Sequence, residues 1–261
     1  MAEFAESTDG TPIAFDRVGE GPALVVVGGA FNTRLSPYPL VTLLAERFTV
    51  VSYDRRGRGD SGAGDDDGNG DSVAREVEDL AAVITATGGS AMVYGHSSGA
   101  IIALEAAMAS VPITRLAVYE PPYTFDVEHP EPGDDFGFPA AIAARDADAA
   151  ARAFLQITGM PAGTVVGMSA APWWSGMITT ALTLPHDIAL SGDGRVPASR
   201  LDGISVPVLA IDGGASPHWA ARAALGISSG VSHGSRRTID GQNHNVDQTV
   251  LAPILAEFFG A

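Results

Sequence analysis

Five residues, Gly95-His96-Ser97-Ser98-Gly99, constrain this chain more than any other stretch. They read G-x-S-x-G and stand between a short apolar run, Ala91-Met92-Val93-Tyr94, and a segment rich in Ala and Ile that continues to Ala109. A strand that turns at once into a helix leaves little room at the turn. Glycines on either side of Ser97 let neighbouring backbone approach without Cβ clashes. The turn itself strains Ser97 and lifts its hydroxyl above the sheet edge. The helix that follows aims its free N–H groups and positive dipole end at the same place, where negative charge can be held. Ser97 is the expected nucleophile. Ser98 offers a competing hydroxyl, but the register of the motif favours Ser97. The plainer reading is a Gly-rich connection without chemistry, and the flanking strand and helix speak against it.

The rest of the chain supplies the sheet that such a turn needs. Ala23 to Val27 is continuously apolar, as a strand buried on both faces should be. Thr11–Arg17, Phe48–Tyr53, Leu116–Tyr119, Val206–Ile211 and Arg236–Ile239 read as further strands. Helical patterns fall between them at 39–47, 72–86, 99–109 and 251–259. In the second of these, Val73, Val77, Leu80, Val83 and Ile84 form one face, and Arg75, Glu76, Glu78 and Asp79 the other, with Ser72 as N-cap. Alternation of strand and helix predicts a parallel sheet covered on both sides. Between residues 123 and 200 the alternation stops. Helix-like segments at 140–157 and 172–184 and no clear strand predict an inserted helical lid, flanked by a core of residues 1–122 and 201–261.

Two further stretches complete a site. Val27-Gly28-Gly29-Ala30-Phe31 ends a buried strand in a sharp turn whose N–H groups can face the nucleophile. The backbone N–H groups of Ala30 and Ser98 are expected to form an oxyanion hole. Gly241-Gln242-Asn243-His244-Asn245 lies between the last strand and the last helix. Among the six histidines, His96 lies inside the elbow, His129 and His186 in the lid, and His218 and His233 in Pro- or Gly-flanked loops. Only His244 satisfies the chain order nucleophile, acid, histidine at a strand–helix junction late in the chain.

Composition narrows the chemistry. With no cysteine there is no thiolate nucleophile, disulfide or thiolate metal site. All 15 basic residues are arginine, which removes Schiff-base and Ser-Lys mechanisms. A net charge of −16 disfavours nucleic acid and anionic membrane surfaces as partners. No apolar run approaches the roughly 18–20 residues that span a bilayer, and the acidic N-terminus lacks a signal-peptide pattern. A soluble, cytoplasmic protein, monomer or homodimer, is expected. No cofactor is expected. The Asp-rich loop 63–71 lacks the ligand positions of a calcium loop and reads as a solvated turn.

Taken together, Val27-Gly28-Gly29, Tyr53-Asp54-Arg55-Arg56-Gly57-Arg58-Gly59-Asp60-Ser61, the Ser97 elbow, Pro207–Gly214 and Gly241–His244 resemble the α/β-hydrolase superfamily over nearly the whole chain. The resemblance implies an α/β-hydrolase fold, with a mostly parallel central sheet and helices on both faces. It is weak on substrate. One departure is Gly28-Gly29 where the family usually carries His-Gly. A second concerns the triad acid. The family's Asp follows the seventh strand, where this chain has Gly213-Gly214-Ala215-Ser216-Pro217, so Ser216 holds that place. Asp212 stands earlier, at the strand end. Glu120 follows Leu116-Ala117-Val118-Tyr119 directly, at the end of the sixth strand, the other location known for the acid. Glu120 is the expected acid, with Asp212 the alternative. Zearalenone lactonases of fungi look similar in combining a Ser-Ser-Gly elbow with a Glu at this position.

The expected activity is hydrolysis of a carboxylic ester or lactone through an acyl-enzyme, by Ser97, His244 and Glu120. A catalytically silent ligand receptor is the alternative, as is a cofactor-free C–C hydrolase, oxygenase or perhydrolase on the same scaffold. Phe31, Met160, Met168, Trp173, Trp174 and Met177 are candidate walls for a bulky apolar substrate. The same residues would also suffice as the lid's own core.

Overall fold

The computed structural model describes residues 2–64, 72–124 and 134–260. Eight strands form one sheet: β1 (Glu3–Glu6), β2 (Pro12–Val18), β3 (Ala23–Val27), β4 (Thr49–Tyr53), β5 (Ala91–His96), β6 (Ile113–Tyr119), β7 (Val208–Gly213) and β8 (Gly234–Ile239). Their order is β1-β2-β4-β3-β5-β6-β7-β8. The pairs β1/β2 and β2/β4 are antiparallel, and every later pair is parallel. β1 and β2 thus form an antiparallel extension on a parallel sheet.

The central strands alternate between two cores, as a side-chain period of two requires. Val25, Val27, Val93, Leu116, Val118, Val208 and Ala210 face one core. Leu24, Val26, Met92, Tyr94, Ala117, Tyr119, Leu209 and Ile211 face the other. On the first side lie the helices α2 (Ser72–Ala86) and α3 (Ser98–Met108), with α10 (His218–Gly230). On the second lie α1 (Tyr38–Leu44) and α11 (Gln248–Gly260). Each fully buried Val, Leu or Ile contributes about 1.5–3 kcal/mol, so these strands must be apolar on both faces.

Residues 138–201 between β6 and β7 are helical: α4 (Phe138–Ala143), α5 (Ala147–Ile157), α6 (Ala162–Ser169), α7 (Trp174–Met177), a 3-10 segment (Ile178–Thr183), α8 (Leu184–Ser191) and α9 (Ala198–Leu201). The segment expected as one helix over 140–157 is two. Arg145 adopts a left-handed φ of 54°, and the Asp146 side chain then caps α5 by accepting from Ala149 N.

Two local expectations are corrected. His218 does not sit in a loop; it opens α10. Glu76 and Asp79 are not on a solvated face of α2; both are buried. Their charges are met by the loop after β4. Arg55 reaches Glu76 at 2.6 Å and Arg56 reaches Asp79 at 2.7 Å. The helix is amphipathic by hydropathy, but its inward face includes carboxylates because arginines from elsewhere in the chain compensate them.

Candidate active site

The parallel strands β3, β5, β6 and β7 all end on one edge of the sheet, and each delivers one part of the site. β5 runs into Ser97, whose backbone stands at φ 56°, ψ −126°. This is a strained conformation for an L-residue, held here by the packed elements around it. Ser97 N donates to Tyr119 O at 2.9 Å, tying the turn to the neighbouring strand. The tight crossing explains the motif's second glycine, since a Cβ on Gly99 would stand 2.3 Å from Val27 O.

His244 arrives from the loop before α11. Its Nε2 lies 3.1 Å from Ser97 Oγ and its Nδ1 lies 2.8 Å from Glu120 Oε2. Glu120 leaves β6 in a left-handed conformation, φ 45°, and is completely buried. Its other oxygen accepts from Gly213 N at 2.7 Å. Burial raises the pKa of this carboxyl, but the hydrogen bonds with His244 and Gly213, with the Ser216 hydroxyl nearby, outweigh it, and the net shift is downward. The Ser216 hydroxyl is buried near the carboxylate and completes no hydrogen bond. Asp212 is turned elsewhere. Arg236 grips both of its oxygens, at 2.8 and 3.0 Å, and Thr238 donates to it at 3.0 Å.

The histidine loop is anchored from beneath. Tyr119 donates its hydroxyl to Asn243 O at 2.7 Å, and His96 Nε2 meets His244 O at 2.9 Å, which assigns the proton to that nitrogen. His96 stacks on Tyr119 and lies 5.0 Å, ring to ring, from His244. Burial, with His244 alongside, pushes its pKa down to about 4. Trp219 packs edge-on against His244 at 6.0 Å. None of these three supports carried a signal in the sequence beyond its residue type.

The loop after β3 passes directly over Ser97. A Cβ on Gly29 would come within 2.8 Å of Ser97 Cβ, so glycine is required where the loop crosses. Gly29 O accepts from Arg58 Nη1 at 2.8 Å and from Asn32 N at 3.3 Å. Gly29 N in turn donates to Asn32 Oδ1 at 3.1 Å. Ser98 is the first residue of α3, so the helix itself offers its N–H no acceptor. Arg55, Arg58, Glu76 and Asp187 form a buried charged group behind this turn.

The candidate wall residues fall into two groups. Phe31, Met160, Met168, Trp174 and Met177 belong to one apolar cluster, to which Ala30 also contributes. Phe31 meets Phe154 edge-on at 5.5 Å, joining the loop after β3 to α5. Trp173 lies at the surface, 53 % exposed, with its ring 6.5 Å from that of Trp174. Among the described residues no group of His, Asp and Glu is arranged to hold a metal. His129 and the Asp-rich stretch at 65–71 lie outside the described residues. No helix among the described residues is long and apolar enough to cross a membrane.

Comparison with known proteins bears on the whole of this arrangement. The model of a family described as "Alpha/beta hydrolase family" matches residues 24–249. An alpha/beta hydrolase from Sphaerobacter thermophilus is 45 % identical, with a TM-score of 0.89 over 98 % of this chain and 100 % of that one. An esterase from Exiguobacterium antarcticum matches at 18 % identity and a TM-score of 0.78, over 100 % of both chains. The enol-lactonase from Burkholderia xenovorans matches at 16 % and 0.70, over 99 % of this chain and 100 % of its own. The last two likenesses concern the fold alone.

Proposed function

Because the chain belongs to the alpha/beta hydrolase family, we propose that it is a serine hydrolase that cleaves a carboxylic ester or lactone through an acyl-enzyme. The observation that carries the proposal is the unbroken line from Ser97 Oγ through the His244 ring to Glu120. In this reading Ser97 Oγ attacks the carbonyl carbon while His244 Nε2 takes its proton. The charge that forms on the carbonyl oxygen rests on the N–H groups of Ala30 and Ser98. Collapse breaks the C–O bond, and the imidazolium returns the proton to the departing alkoxide. Water then attacks the acyl carbon, giving its proton to His244. The Ser97 ester bond breaks, Oγ recovers the proton, and the acid leaves.

Glu120 is the triad acid. A buried carboxylate held ionised beside Nδ1 fixes the tautomer and stabilises the imidazolium. The inserted helices act as a cap, and the half-buried Phe31, Met160, Met168 and Met177 offer an apolar wall to the acyl group. The reaction as written uses only the chain's own groups and water.

A fluorophosphonate probe tests the proposal, with hydrolysis of aryl esters and of small and macrocyclic lactones measured in parallel. Labelling at Ser97 together with turnover is the expected result. Labelling without turnover of any ester or lactone would favour a ligand receptor or C–C bond cleavage on the same residues.

A further inference from the structure

The buried charged group behind the elbow makes contacts that the reaction written above does not use. Asp187 sits on α8, among the inserted helices, and is 3 % exposed. Its two carboxylate oxygens are taken up separately. Oδ1 accepts from Ser98 Oγ at 2.5 Å and from Arg55 Nη1 at 2.7 Å. Oδ2 accepts from Arg58 Nη2 at 2.6 Å. Arg58 also donates to Gly29 O, at 2.8 Å, to Thr183 Oγ1, at 2.9 Å, and to Asn32 O, at 3.4 Å.

The two residues at the far ends of these contacts are the ones that matter. Gly29 O belongs to the same peptide group as the Ala30 N–H. In a trans peptide the carbonyl and the N–H point in opposite directions. Pinning Gly29 O toward Arg58 therefore turns the Ala30 N–H the other way. That N–H finds no backbone acceptor among the described residues. Ser98 carries the second N–H on the backbone that its own side chain tethers to Asp187.

We infer that Asp187 is a positioning residue for the oxyanion hole: one cap carboxylate holds both peptide groups, Ser98 directly and Gly29–Ala30 through Arg58. The inference rests on the serine-hydrolase reading above. It makes docking of α8 and assembly of the hole a single event. Arg55 and Arg58 offset the carboxylate's charge, and Glu76 offsets the second arginine, so the group holds the donors without opposing the oxyanion with uncompensated negative charge. Donors fixed before the reaction need no reorganisation during it, which is what gives such a hole its effect.

The experiment compares the parent enzyme with Asp187→Asn on p-nitrophenyl butyrate. A lost oxyanion donor costs about 10²–10³ in kcat; a loosened one should cost about 10–100-fold, with KM within about twofold. An alkyl trifluoromethyl ketone, which forms an oxyanion in the hole, should lose affinity by the same factor. The corresponding secondary alcohol, which is neutral and forms no adduct with Ser97, should bind as before. The midpoint of the pH–rate profile should not move, because the proton relay is untouched. Asp79→Asn breaks a comparable buried pair with Arg56 away from the hole, and should lower stability at unchanged kcat. Should Asp187→Asn fail to fold, Ser98→Ala removes one tether with no change of charge and should lower kcat and ketone affinity together, by about 3–10-fold.

Full activity in a folded Asp187→Asn enzyme would overturn the inference. So would a fall in rate with ketone affinity retained, or an equal fall in kcat for Asp79→Asn. A parent that neither turns over esters nor takes the fluorophosphonate probe would instead overturn the serine-hydrolase reading, and this inference with it.

Discussion

Ser97 and Ser98 share one turn, yet the regions they face differ in almost every physical respect. Ser98 looks into a buried group of two arginines and two carboxylates in which every charge meets an opposite one at 2.6–2.7 Å. Ser97 looks toward the open edge of the sheet, where its hydroxyl has one longer contact, 3.1 Å, to a histidine side chain that is 37 % exposed. The first region is saturated, and removing one partner of such a buried pair typically costs about 3–5 kcal/mol. The second is left short of partners, and Ser97 is held there in strain. Under the proposed mechanism, reactivity is what remains when a rigid, fully paired framework holds an incompletely paired group in position.

The widest way to break that contrast is Ser97→Ala. If the open side carries the chemistry, turnover falls by about 10⁵–10⁶ while the melting temperature stays near that of the parent, since only a half-buried hydroxyl with one long hydrogen bond is lost. Near-normal esterase activity in the purified variant would remove Ser97 from the mechanism.

The next test sets two buried carboxylates against each other. Glu120→Gln keeps the volume but offers Nδ1 a poorer partner, and the expected loss in kcat is about 10³–10⁴. Asp212→Asn should leave kcat within a few-fold and act on stability instead, because its partner is Arg236 rather than His244. Kinetics and thermal melts on both variants decide it. A dead Asp212→Asn beside an active Glu120→Gln would reverse the assignment.

The smallest effect concerns the support beneath His244. His96 has its pKa lowered from 6.5 to about 4 in the folded protein. Between those values the unfolded chain binds the proton more readily, so stability falls as pH drops from about 6.5 toward about 4 and recovers as pH rises. Urea denaturation at pH 7 and pH 5 should show this loss, and His96→Gln should reduce it. An identical pH dependence in the two proteins would mean that His96 contributes nothing to it.

The elbow, the histidine and the parallel sheet were legible because their signals are local or ordered along the chain. A continuous apolar run marks a strand buried on both faces wherever it occurs, and five residues between a strand and a helix specify their own turn. The inserted helices were less legible. Ala162–Ser169 and Leu184–Ser191 are short, with no side-chain cap hydrogen bond at their starts, and they owe their form to the apolar cluster they share. The buried face of α2 was misread for a related reason: Glu76 looks like a surface residue until Arg55 is brought to it from another element.

The sequence by itself determined the fold class, the nucleophile candidate and the order in which nucleophile, acid and histidine follow one another. It left two carboxylates, Glu120 and Asp212, as candidates for the acid. Tertiary structure separated their surroundings, because a carboxylate's role depends on which cation or donor reaches it first. Arg236 stands on the neighbouring strand and takes Asp212, while the turn of Glu120 out of β6 aims its side chain at His244. The joining of Asp187 to Ser98 and to Arg58 was likewise decided only in three dimensions. Its partners lie 89 and 129 residues away along the chain, and no local pattern encodes a contact of that span.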